Sequence, residues 1–129
     1  MKQSIGTVTF LVKDYDEAIE YFTEKLQFNL IENTKLSESK RWVLVAPRGG
    51  AESKLLLAKA SDEEQQKQVG NQTGGRVAFF LHTDDFERDY KIMKSRGVEF
   101  IEEPRIESYG KVVLFKDLYG NKWDFLQLS

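Results

Sequence analysis

The chain contains no cysteine, which excludes disulfides, thiolate nucleophiles and Cys-ligated zinc. Histidine occurs once, at His82, whereas a metal centre built on imidazole ordinarily takes more than one. With so little histidine there is no basis for a catalytic triad, and Ser4, Ser37, Ser39, Ser53 and Ser61 lie outside any nucleophile-elbow context. The pairs Gly49-Gly50 and Gly74-Gly75 lack the strand-loop-helix setting of a phosphate cradle and read as turn and connector. Neither charge sign dominates: 19 Lys and Arg stand against 21 Asp and Glu, interspersed, for a net charge of −2. The basic stripe that nucleic-acid binding uses for counterion release is therefore missing. Long apolar runs are missing too. The opening MKQSIGTVTFLVKD alternates and reaches Asp14 too soon for a secretory signal or a membrane span, so a soluble cytoplasmic protein with no membrane partner is expected.

What is present suits one folded domain. With 129 residues, 40% hydrophobic and 31% charged, the chain is long enough for a real core and too short for two independent domains. Residues 4–12 alternate as a strand, with Val8, Phe10 and Val12 on one face and Thr7, Thr9 and Leu11 on the other, more polar face. A helix follows over 14–28, with Asp14 and Glu17 spaced as a capping box and Tyr15, Ala18, Ile19, Phe22 and Leu26 as its apolar stripe. Extended segments come next at 28–34, 41–46 and 53–58, the last two separated by a turn containing Pro47, Gly49 and Gly50. Residues 61–74 carry no apolar face and read as a solvated connector or short surface helix.

The same order then recurs. RVAFFLH at 76–82 reads as a strand. A helix over 84–97 follows, with Asp84 and Glu87 as its candidate capping box, Phe86, Tyr90 and Met93 as its stripe and Gly97 as its stop. Strands at 98–101, 111–115 and 122–128 complete the set. Seventy positions apart, Val43-Leu44-Val45 falls on Val113-Leu114-Phe115, Phe10 on Phe80, Gly50 on Gly120 and Leu56 on Leu126. In the helix the match slips by one, Ile19 and Phe22 falling on Tyr90 and Met93, which predicts an extra residue in the first turn of the second half. Chance alternation would give a ferredoxin-like α+β sandwich instead. The recurrence favours two tandem βαβββ modules, 1–60 and 75–129, joined by the connector 61–74.

The run YGKVVLFKDLYGNKWDFLQL at 109–128 resembles the C-terminal signature of the glyoxalase, bleomycin-resistance and extradiol dioxygenase superfamily, the vicinal oxygen chelate proteins. VTFLVKDYDEAIEYFTEKLQF at 8–28 is similar to that family's first strand and helix. The resemblance implies an α+β fold in which two modules form a curved mixed sheet, a half-barrel, with helices outside and a small-molecule cavity between the modules. It also implies a homodimer. Enzymes of the family place metal ligands, usually His and Glu, on the first and last strands of each module, where a divalent cation polarises substrate oxygens. Carried over, that pattern falls on Thr7, Lys54, one of Arg76 to Ala78, and Asp124. Among these only Asp124 suits a divalent metal, because ammonium and guanidinium groups repel cations.

The expected function is accordingly small-molecule binding without the His/Glu metal site, as in metal-free bleomycin-resistance members. No cofactor is expected. The expected ligand contacts are Thr7, Thr9, Trp42, Lys54, Arg76, Phe79 and Asp124, with Lys54 and Asp124 a candidate ion pair standing in for the cation. Tyr109, Tyr119 and Trp123 are further candidate aromatic walls, and Arg41 and Arg105 further candidate charges. Glu102-Glu103 beside Pro104 reads as a solvated turn. His82 is expected on the helix-packed face with Ala78 and Phe80, as a structural or half-exposed residue. The alternative is a metal-dependent glyoxalase-like lyase or isomerase, or an extradiol dioxygenase, with a shift on the fourth strand bringing Glu52 into play.

Overall fold

A computed structural model describes residues 1–49 and 52–129. The expected match of Gly50 with Gly120 lies outside the described residues. The chain divides into two compact units, Met1–Val69 and Gly70–Ser129. Among the described residues no helix is long and apolar enough to cross a membrane.

In the first unit, β1 (Thr7–Val12) leads to α1 (Tyr15–Glu20), which continues through a wider π-helical turn at Tyr21–Lys25. Asp14 caps α1, its side chain accepting from the Glu17 backbone N–H at 2.9 Å. Then come β2 (Asn29–Lys35), β3 (Arg41–Ala46) and β4 (Lys54–Lys59). The sheet order is β1-β4-β3-β2, with β1 parallel to β4 and the other pairs antiparallel. Phe10, Val12, Val43, Val45, Leu55 and Leu57 are buried on one sheet face with Ala18 and Phe22 of the helical segment. The rings of Phe10 and Phe22 meet edge to face at 5.2 Å. Six residues of the expected connector form α2 (Glu63–Gln68), capped by Asp62 and burying nothing.

The second unit repeats the plan. β5 (Val77–His82) precedes α3 (Phe86–Ser95), followed by β6 (Glu99–Phe100), β7 (Arg105–Glu107), β8 (Gly110–Lys116) and β9 (Lys122–Leu128). Its sheet order is β5-β9-β8-β6, with β5 parallel to β9 and β7 also paired with β8. Strand β7 was not foreseen. Together β6 and β7 occupy the edge that β2 holds in the first unit, split around Pro104, which has no N–H to donate. The Glu102 carboxylate fills part of the break by accepting from the Leu114 N–H at 3.0 Å. Helix α3 stops as the sequence predicts. Gly97 has φ +86, and the Val98 and Gly97 N–H groups bond back to the Met93 and Lys94 carbonyls.

Pairing corrects the sequence register. Thr9 lies beside Leu56, which lies beside Leu44, while Phe80 lies beside Asp124, which lies beside Leu114. Keeping Leu44 on Leu114, the structural counterpart of Leu56 is Asp124 and not Leu126, and that of Thr9 is Phe80. Phe10 therefore matches Leu81. The one-residue slip seen in the helix is already present in β5, so the extra residue does not lie in the first turn. Consistently, the N-cap of α3 is Asp85, accepting from the Arg88 N–H at 3.1 Å, and not Asp84.

Candidate ligand-binding faces

A shift of one residue turns a strand over, and it changes which side chains are available for binding. In the first unit the face away from α1 carries Thr7 beside Lys54, Thr9 beside Leu56, and Trp42 across from Thr34. Thr7 and Thr9 are exposed, Lys54 is half-buried and Trp42 is 37% exposed. Four of the seven expected contacts thus share one surface, because alternation in β1 and β4 is clear.

In the second unit the face away from α3 carries Phe80, His82, Asp124, Leu114 and Leu126. His82 and Phe80 are exposed there, correcting their expected place against the helix. Phe79, expected as a ligand contact, faces the other way. Its ring packs at 4.6 Å on Trp123, which is 2% exposed and stacks on Phe115. The aromatic chain continues through the half-buried Phe100 and Tyr90 into α3. Trp123 is a core residue, and Phe79, half-buried, packs against it on the same face. Val-Ala-Phe-Phe-Leu is apolar throughout, so the sequence offered no alternation to orient it, and a bulge between Val77 and Phe79 shifts the parity further.

Asp124 is half-buried and makes no ion pair among the described residues. Burial, chiefly, raises its carboxyl above the usual range; Arg105 opposes the shift and the like charge of Glu102 adds to it. Arg105 is itself engaged twice, at 2.9 Å from Glu102 and 2.9 Å from Glu107. Glu102 is thus a half-buried anchor for β7 and β8 and not a solvated turn residue. Arg76 precedes β5 and is exposed, its carbonyl accepting from the Thr73 hydroxyl. Arg41 is held by Asp16 at 2.8 Å and lies over the Tyr15 ring.

At the turn between β8 and β9 the sequence DLYGN folds around the buried carboxylate of Asp117. It accepts from the Tyr119, Gly120 and Asn121 backbone N–H groups, the Asn121 amide and the Trp123 indole at 2.8 to 3.4 Å. This turn sets the register of β9 against β8 and so orients Asp124.

The positions that the family resemblance assigns to metal ligands do not fit a divalent cation. Thr7, Lys54 and Arg76 or Ala78 offer a hydroxyl, two cations or a methyl, with Asp124 the one carboxylate. The corrected register substitutes Thr9, Leu56, Phe80 or Lys122 and adds no anionic donor. Among the described residues no three His, Cys, Asp or Glu side chains group as a metal site.

A protein of Shewanella frigidimarina is 53% identical over 130 residues, covering 100% of this chain and 96% of its own length. YetH of Bacillus subtilis is 31% identical, covering 94% of this chain and 95% of its own. Among solved structures, UcmS2 superposes with a TM-score of 0.84 at 26% identity, covering 98% of both chains. TnmS3, an antibiotic binding protein from Streptomyces sp. CB03234, shares the fold with a TM-score of 0.78 at 24% identity, covering 99% of this chain and 98% of that one. The model of the Glyoxalase/Bleomycin resistance protein/Dioxygenase superfamily matches residues 4–125, and the chain belongs to that superfamily.

Proposed function

We propose that the chain binds a small organic molecule on the sheet faces turned away from α1 and α3, without a divalent metal and without catalysing a reaction on it. One observation carries the proposal. Where a metal-dependent relative presents His and Glu, this chain has Thr7, Lys54 and Arg76 or Ala78, while the same faces offer hydroxyls, a cation, one carboxylate and the Trp42 ring. Such a set suits an organic ligand with scattered polar groups. Sequestration needs no catalytic residue, and the fold is shared with TnmS3, an antibiotic binding protein. The proposed contacts are Thr7, Thr9, Trp42, Lys54, Arg76 and Asp124, in a cytoplasmic homodimer.

The test is a thermal-shift screen of antibiotics and other small molecules, joined to elemental analysis of protein purified without an affinity tag. A ligand present at a hundred times its Kd stabilises the native state by about 2.7 kcal/mol, a rise of several degrees in Tm. No hit across a varied panel overturns the binding function. Stoichiometric zinc, manganese, nickel or iron, with an activity lost to chelation, overturns the metal-free part and favours the lyase or dioxygenase alternative.

A further inference from the structure

On the side facing α1, the first sheet ends in a polar cavity. Side chains alternate along β3, so Arg41 points to the α1 side, opposite Trp42, and lies over the Tyr15 ring. Lys35 is its register partner on β2. Lys59 ends β4 beside Val12, which is buried on that same side. The turn between β2 and β3 is closed by the Leu36 and Ser37 N–H groups donating to the Lys40 carbonyl. Tyr15, Arg41, Lys59 and the turn residues Ser37 and Ser39 bound a space of about 390 Å³.

Hydrogen-bond donors around this space lack acceptors. Tyr15 is 6% exposed, and its hydroxyl oxygen accepts from the Arg41 N–H at 3.2 Å. The hydroxyl hydrogen then has no acceptor among the described residues, a costly state for a buried donor unless a ligand or water accepts from it. Lys59, which can only donate, makes no ion pair among the described residues. The Ser37 oxygen accepts from the Ser39 N–H at 3.4 Å, which leaves its own hydrogen to donate.

The charges lining the cavity are Lys35, Arg41 and Lys59 against Asp14 and Glu38. Asp14 is turned to the backbone, accepting from the Glu17 N–H. Glu38 is 97% exposed and pairs with Lys35 at 3.5 Å, a contact that water weakens. Arg41 is held at both terminal nitrogens by Asp16, at 2.8 and 3.0 Å. Lys59 is the cation left to a ligand.

We propose that this cavity is a second binding site, which takes the phosphate group of a small phosphate monoester on Lys59 and the hydroxyls of Tyr15 and Ser39. A carboxylate is matched best by the two-pronged fork of a guanidinium, and Asp16 occupies that fork. The remaining donors are single points on α1, β4 and the turn, which suits a tetrahedral group with three acceptor oxygens. The space exceeds what a phosphate alone fills and accommodates an organic remainder. The site faces α1, away from the contacts proposed above, and does not depend on them.

Glycerol 2-phosphate and glycerol differ by the phosphate alone, and glycerate supplies the carboxylate comparison. Each, with inorganic phosphate, is titrated into the full chain by calorimetry at pH 8 and constant ionic strength. Glycerol 2-phosphate is expected to bind about tenfold or more tightly than glycerate, and glycerol not measurably. Lys59→Gln and Tyr15→Phe should each weaken it about tenfold or more, the size of one hydrogen bond to a charged group. Lys91→Gln, an exposed lysine of α3, should leave binding unchanged. Circular dichroism checks that the variants fold; should Tyr15→Phe not fold, Lys59→Gln decides alone. Failure of both phosphates to bind, binding of glycerate as tight as that of glycerol 2-phosphate, or binding indifferent to Lys59→Gln overturns the inference. So does an equal loss in Lys91→Gln. Each of these results leaves the function proposed for the opposite face standing.

Discussion

Replacing Asp117 by alanine is expected to be among the most destabilising single changes in the second unit. The residue is 6% exposed and accepts from three backbone N–H groups, the Asn121 amide and the Trp123 indole. Gly120 keeps its bond to the Asp117 backbone carbonyl, and Tyr119 is only half-buried, so both have relief. Asn121 and Trp123, at 4% and 2% exposure, lose this acceptor where water reaches poorly. A buried donor deprived of its acceptor costs about 1–3 kcal/mol, so the three donors of these two residues, the Asn121 N–H and amide and the Trp123 indole, amount to about 4 kcal/mol even near the low end of that range, a large share of the 5–15 kcal/mol of a typical domain. At about 3–5 °C per kcal/mol for a domain of this size, Tm should fall by about 12–20 °C. Asp117→Asn keeps one oxygen but turns an NH2 toward the remaining donors, and should cost about half as much. Urea unfolding followed by circular dichroism gives ΔΔG, and near-ultraviolet dichroism reports the Trp123 environment. A loss below about 1 kcal/mol for Asp117→Ala, or equal losses for both variants, would refute the view that this carboxylate organises the turn.

Five further substitutions test the architecture. Asp85→Ala should cost about 1 kcal/mol by removing the N-cap of α3, while Asp84→Ala, whose side chain makes only an exposed ion pair with Arg88, should stay within about 0.5 kcal/mol; the reverse order in urea unfolding would refute the corrected register. Gly70→Ala places a Cβ 1.9 Å from the Tyr119 carbonyl oxygen at φ +80, and should cost about 3 kcal/mol or more. Gly120→Ala meets nothing within 4 Å and bears only the strain of φ +99, about 1–2 kcal/mol by the same assay. The Arg88 hydrogen bond, chiefly, holds the Asp89 pKa below 3.8, so the stability linked to this group is present above that pH and is lost as pH falls through the lower folded value. Asp89→Asn should flatten the acid limb of a stability-pH profile by well under 1 kcal/mol, since the pair is partly exposed; an unchanged limb would refute the assignment.

The sequence by itself determined the order of elements apart from β7, their repetition, the cap at Asp14, the stop at Gly97 and the polar face of β1. Each of these is a short-range signal: alternation, a capping side chain, or a glycine where φ is positive. Thr7, Thr9, Trp42 and Lys54 were legible as one surface for that reason. The orientation of β5 was not, because Val-Ala-Phe-Phe-Leu is apolar on both sides and carries no parity of its own. Only pairing with β9 turned Phe79 toward Trp123 and Phe80 to solvent, since parallel register is set by a strand some forty residues away. Tertiary structure likewise decided the split of the edge into β6 and β7. There Pro104 leaves the ladder incomplete, and a carboxylate that reads as surface charge becomes the acceptor for Leu114. Local chemistry specifies which elements form; the face each presents is a property of the assembled sheet.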